Sequence, residues 1–175
     1  MARTYRLYQV DSFTKEKFTG NPAGVIPNAD GLSDGEMQKI AREMNNSETA
    51  FVFSSTDESY DVHVRFFTPL KEVPICGHAT IAAHYVRALE NGMTQGRVYQ
   101  KTGAGILPVD ILRDGDDLRV IMTQGKCSSS HRRRFARAIS RPDRIHRPWQ
   151  SNDLHQRQRN AQWYEARLRG AYQAE

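Results

Sequence analysis

Two cysteines in 175 residues, Cys76 and Cys127, are too few and too isolated for a disulfide framework or a thiolate zinc site. A reducing compartment follows as the default expectation, and a cytoplasmic chain with it. Long apolar runs are missing too: no stretch approaches the ~20 residues of a membrane helix. Asp11 follows soon after Arg3 and Arg6, so the N-terminus lacks the apolar segment of a signal peptide. The expectation is a soluble, untargeted chain with no membrane partner. There is no glycine-rich phosphate loop, no internal repeat and no regular alternation of strand and helix, which disfavours a doubly wound nucleotide-binding sheet.

Lysine is absent from one part of the chain, and that absence marks a seam. Residues 1–126 carry fourteen Lys and Arg against sixteen Asp and Glu, a net charge of −2. Residues 127–175 carry eleven against four, a net charge of +7, and all eleven are Arg. The first segment is long enough for one domain with its own core. The second has only Phe135, Ile139, Ile145, Leu154 and Leu168 as large aliphatic or Phe residues and cannot build one. The expected organisation is a single domain over 1–126 and a disordered or irregular Arg-rich tail over 127–175, with a weak helix after Asn152-Asp153 as its one regular feature.

Within the first segment, Tyr5–Val10 alternates as a strand, and Phe13–Pro27 reads as a loop punctuated by Gly20, Pro22 and Gly24 before the apolar pair Val25-Ile26. Ser33 with Glu36 three residues on is a capping box, predicting a helix over Asp34–Met44 with Met37, Ile40, Ala41 and Met44 inward. Strands are predicted over Thr49–Phe53, Asp61–Thr68, Arg97–Lys101, Ile106–Leu112 and Leu118–Met122. Between them His78–Glu90 is apolar almost all round, with Ala79, Ile81, Ala82, Ala83, Tyr85, Val86, Ala88 and Leu89. Such a helix must be buried. The fold class is α+β, a mostly antiparallel sheet wrapped around a buried central helix.

Chemistry-bearing residues cluster where loops meet these elements. Glu48 sits at the edge of the apolar strand Ala50-Phe51-Val52 and is expected to be partly desolvated and suited to proton transfer; a solvated turn residue is the plainer alternative. His78 starts the buried helix, either as a cap or as a hydrogen-bond donor and proton carrier. The amides of Gly77 and His78 are fixed donors for a carboxylate or a developing negative charge. Cys76 reads as a buried, inert thiol. A metal site from His78, His84 and Cys76 lacks a ligand pair on one helical face, so no metal is expected.

Five strings occur in order along the chain: Val10-Asp11-Ser12-Phe13-Thr14, Phe18-Thr19-Gly20-Asn21-Pro22-Ala23-Gly24-Val25, Ser47-Glu48-Thr49-Ala50-Phe51, Phe67-Thr68-Pro69, and Glu72-Val73-Pro74-Ile75-Cys76-Gly77-His78-Ala79-Thr80. Together they resemble the N-terminal half of the phenazine biosynthesis PhzF-like family, which shares the diaminopimelate epimerase fold. The resemblance implies a cofactor-free isomerase whose two similar domains close on a small cyclic carboxylic acid. It makes Glu48 the general acid/base, places Gly77 and His78 against the substrate, and sets Asn21 at the border of the pocket. The partners it implies are that carboxylate substrate and, with less definition, a second copy of the chain.

The resemblance stops after Gln124-Gly125. The family's second domain, with its acidic active-site partner, has no counterpart in residues 127–175, so this chain is expected to be inactive or weak alone. An Arg-rich, Lys-free, aliphatic-poor segment is the product expected of out-of-frame reading of a GC-rich gene. The alternative is a half-domain whose basic arm binds nucleic acid or acidic partners through Arg and aromatic side chains.

Overall fold

A computed structural model describes residues 3–14, 16, 18–123 and 161–166. The strands are β1 (Tyr5–Ser12), β2 (Asn21–Ile26), β3 (Glu48–Ser54), β4 (Val62–Phe67), β5 (Glu72–Val73), β6 (Gly96–Thr102), β7 (Gly105–Asp114), β8 (Asp117–Met122) and β9 (Ala161–Ala166), and the helices are α1 (Asp34–Met44) and α2 (Gly77–Glu90). They form one sheet in the order β8-β7-β6-β4-β3-β2-β1-β9, with β5 paired to β4. Pairing is antiparallel except between β2 and β3 and between β4 and β6. The mostly antiparallel α+β architecture is as expected.

Strand period and helix period together decide what lies where. Even-numbered residues of β1, β3 and β4, such as Tyr8, Val10, Ala50, Val52, Val62, Val64 and Phe66, point to the inner face and pack around α2. Odd-numbered partners such as Tyr5, Leu7, Phe51 and Phe67 point outward onto α1, against Met37 and Ala41, with Ile40 and Met44 partly buried beside them. Ser33 and Glu36 cap α1 reciprocally. Helix α2 is buried from His78 through Val86 and again at Ala88, because the sheet curves around it. Its Leu89, grouped by sequence with the apolar set, is instead 41% exposed, since the last turn projects beyond the sheet. Gly92 follows with φ of 62°, the left-handed stop. Gly115, with φ of 67°, opens the two-residue turn between Asp114 and Asp117.

Three expectations are corrected. Asn21–Ile26 is a central strand rather than a loop with a short apolar pair. Pro22 is tolerated there because pairing with β3 begins only at Ala23, and Gly24 is required because a Cβ would lie 2.8 Å from Thr49 Oγ1. Glu72–Val73, inside the extended segment between Pro69 and Pro74, pairs with β4. Residues 161–166, within the region of the anticipated weak helix, form a strand whose backbone pairs antiparallel with Tyr5–Val10, along the edge of β1 that β2 leaves open. The remaining expectations for the tail lie outside the described residues. Among the described residues, no helix is long and apolar enough to cross a membrane.

Candidate active site

The N-terminus of α2 meets the start of β3. Glu48 is the first residue of β3, and Ala23 of β2 is its partner in register. Ser12, at the end of β1, pairs with Asn21 and donates its hydroxyl to the His78 carbonyl at 2.9 Å. Thr80 Oγ1 donates to the Cys76 carbonyl at 2.7 Å. The turn carrying Cys76, Gly77 and His78 is thereby held from two sides.

On this platform three side chains converge. His78 Nε2 lies 3.4 Å from Glu48 Oε2, with the Glu48 side chain 21% and the His78 side chain 9% exposed. The distance suits an ion pair once the ring is protonated, but the alignment is not that of a hydrogen bond, and Nε2 is a buried nitrogen without a hydrogen-bond partner. The other ring nitrogen, Nδ1, is 3.3 Å from Cys76 Sγ. The imidazole stands between a carboxylate and a thiol.

Burial sets the protonation of His78 and Cys76. Desolvation pulls the His78 pKa below its usual value, against the Glu48 charge and the Pro22 backbone, so the ring is neutral at pH 7. Desolvation, with the Glu48 charge adding to it, pushes the Cys76 thiol up to about 11, although the amides of Ala79 and His78 favour its thiolate. A carboxylate, a neutral imidazole and a neutral thiol in mutual reach can exchange protons without a large charge being buried. Cys76, the N-cap residue of α2, makes no side-chain cap hydrogen bond. The first amides of α2 add the positive end of the helix dipole to the same spot.

Glu48, Gly77 and His78 are therefore brought together as the sequence anticipates, with Asn21 exposed at the same edge of the sheet. Cys76, read as inert, faces both other groups; its place immediately before Gly77-His78 at the head of a buried helix was the available signal. Asn46 Nδ2 and Thr49 Oγ1, flanking Glu48, are buried without hydrogen-bond partners, and nothing in the Asn45-Asn46 helix stop foretold this. His84 is not part of the cluster: it is fully buried in α2, where its Nε2 lies 3.0 Å from Gln100 Oε1. Of the three residues weighed from sequence as a metal set, Cys76 and His78 lie together and His84 stands apart.

The far end of α2, about 21 Å away along its 14 residues, borders a cavity of about 560 Å³ lined by Arg3, Tyr5, Arg6, Asn28, Asp30 and Glu90. Its cations are already engaged, Arg3 by Glu36 and Arg6 by Glu90. The convergent chemistry lies at the Glu48 end.

The model of the phenazine biosynthesis-like protein family matches residues 10–138. An uncharacterized isomerase of Clostridium acetobutylicum is 75% identical over 126 residues, covering 72% of this chain and 42% of that protein. The crystal structure of a PhzF-family phenazine biosynthesis protein from Bacillus anthracis superposes with a TM-score of 0.62 at 38% identity, over 70% of this chain and 41% of that one. A predicted epimerase from Pseudomonas aeruginosa gives 0.64 at 26% identity, over 77% and 50%. The chain thus spans less than half the length of the curated isomerase it matches, and its half-barrel is of the diaminopimelate epimerase-like type. With the family model covering most of the chain and the site strings lying inside the match, this chain belongs to the phenazine biosynthesis-like PhzC-PhzF family.

Proposed function

We propose that the chain is the Glu48-bearing half of a cofactor-independent isomerase that moves a proton within a small cyclic carboxylic acid. One observation carries the reading: Glu48 Oε2 lies 3.4 Å from His78 Nε2 at the head of a buried helix whose first amides can receive negative charge. In the proposed reaction the Glu48 carboxylate takes a proton from a ring carbon. The C–H electron pair spreads into the conjugated acid, where the Gly77 and His78 amides stabilise it. The proton returns to a different ring carbon, so atoms and charge balance with no redox step. The neutral His78 ring orients Glu48 and the substrate, and Asn21 borders the pocket.

The relatives' greater length supports a second half that closes over the substrate and excludes water. We therefore propose that this chain alone is inactive or weak. We further propose that the Arg-rich segment from residue 127 onward is out of frame with the family sequence, the family model's match ending soon after that seam, at residue 138. Translating the other two frames beyond codon 126 tests this: one should yield alternating strands and a second buried helix, and stops with no apolar periodicity in both would reject it. The activity is tested by joining residues 1–126 to the remaining part of the Clostridium acetobutylicum relative and following deuterium uptake from D2O into a panel of small cyclic carboxylic acids by mass spectrometry. Uptake should require Glu48; uptake unchanged in Glu48→Gln would reject the assignment.

A further inference from the structure

We infer that Phe18 and Leu70 form an apolar seat on either side of Glu48, and that its partner is the protein surface of the isomerase's other half. Among the large hydrophobic side chains of the described residues these two are the most exposed, at 72% and 88%, and the next stand at 45%. A single exposed apolar residue is ordinary on a protein surface. These two are not scattered singly, because both flank the candidate site.

The sheet fixes that placement. Strand β3, which begins at Glu48, lies between β4 and β2. Thr49 pairs with Phe67, so the chain leaves β4 toward Leu70 beside Glu48. On the other side Ala23 pairs with Glu48, so the chain coming from Phe18 enters β2 just beyond it. Neighbouring strands are about 4.8 Å apart, which puts the bases of the two loops about 10 Å from each other with Glu48 between them.

Both loops hold their tips in place. The Thr68 hydroxyl accepts from the amides of Leu70 and Lys71 at 3.2 and 3.0 Å, and Gln38 of α1 donates to the Thr68 carbonyl. The Phe18 amide donates to Asp11 Oδ2 at 2.8 Å, and the Thr14 and Thr19 hydroxyls bond to each other. Phe18 also takes a φ of 65°, a left-handed value that suits glycine and strains a bulky residue. Strain of this kind clusters where a side chain is used. With its ring mostly in solvent, Phe18 is not used by the core of this domain.

Length identifies the occupant. The match covers 42% of the Clostridium acetobutylicum isomerase and 41% of the Bacillus anthracis protein, so more than half of each has no counterpart in it. A small cyclic acid at Glu48 is shorter than the span between the loops, whereas a protein surface bridges it. Apolar anchors covered in this way exclude water from the carboxylate between them. The identity of the partner rests on reading Glu48 as one half of a two-part site; the contact itself requires no catalysis.

The test compares the 175-residue chain with the completed chain described above, both without substrate. Hydroxyl-radical footprinting read by mass spectrometry should oxidise Phe18 and Leu70 in the first and about tenfold less in the second. Slow hydrogen exchange of the α2 amides in both serves as the folding control. The double variant Phe18→Gly, Leu70→Ser should leave the urea midpoint of the 175-residue chain unchanged or higher, since glycine relieves the left-handed backbone, yet lower that of the completed chain. Equal oxidation of either residue in the two chains would overturn the seat. So would a lower midpoint in the 175-residue chain, which would assign the two side chains to the fold of this domain. Neither readout follows deuterium uptake, so a failed seat and a failed Glu48 assignment are told apart.

Discussion

Acidification should unfold this domain through His84, and the size of the effect follows from its surroundings. The ring is fully buried in α2, with Nε2 donating to Gln100 Oε1 at 3.0 Å and Nδ1 without a partner. Desolvation, with the nearby Arg87 charge adding to it and Gln100 and Asp61 opposing, lowers its pKa from 6.5 to about 4. The unfolded chain therefore binds a proton below about pH 6.5 that the folded chain refuses until about pH 4. The stability at stake is fully present above the unfolded value and is lost as pH falls through the folded one. The gap corresponds to roughly 3 kcal/mol, of which about 2 kcal/mol is gone by about pH 5. Urea unfolding of the wild type and of His84→Gln between about pH 7.5 and pH 4.5 isolates this contribution from that of the surface carboxylates, because those titrate alike in both. Wild-type stability should fall more steeply than that of the variant, the two curves converging toward acid. A wild-type minus variant difference that stays constant over this range would refute the reasoning.

Gly24→Val should destabilise the domain by about 2 kcal/mol or more, because the new Cβ would sit 2.8 Å from Thr49 Oγ1 and 2.9 Å from Thr49 Cγ2. A urea midpoint equal to wild type would show that β2 and β3 are not so close. Alkylation of Cys76 by iodoacetamide, located by peptide mapping, should stay slow through neutral pH and accelerate only toward about pH 11, where burial has placed its pKa. An inflection near the ordinary thiol value would mean that the amides of His78 and Ala79 outweigh desolvation.

The two helices were legible in sequence for physical reasons. The Ser33–Glu36 box marks where α1 starts, and α2 is too apolar on every side to lie anywhere but inside. The hairpin β7–β8 was legible because Gly115 supplies the positive φ that its turn demands. Strand β2 was not, because Pro22 and Gly24 carry loop signatures whose reason is tertiary: a proline paired with β1 but not yet with β3, and a glycine against Thr49. Strand β9 was not legible either, since its pairing depends on an edge of β1 about 150 residues earlier in the chain. At the site, Glu48 and His78 could be named from their positions at element ends and from the family strings. Cys76 was marked only by its place before Gly77-His78; its meeting with Glu48 depends on an imidazole beside a carboxylate that is thirty residues from His78 in sequence.

The central claim is that Glu48 carries the transferred proton. In the chain completed with the second half of the Clostridium acetobutylicum relative, the rate of deuterium uptake into a turned-over cyclic carboxylic acid should fall about 10²-fold or more in Glu48→Gln, with the thermal midpoint unchanged. Uptake by that variant within about a factor of two of the parent would contradict the account and move the search for the base to another residue.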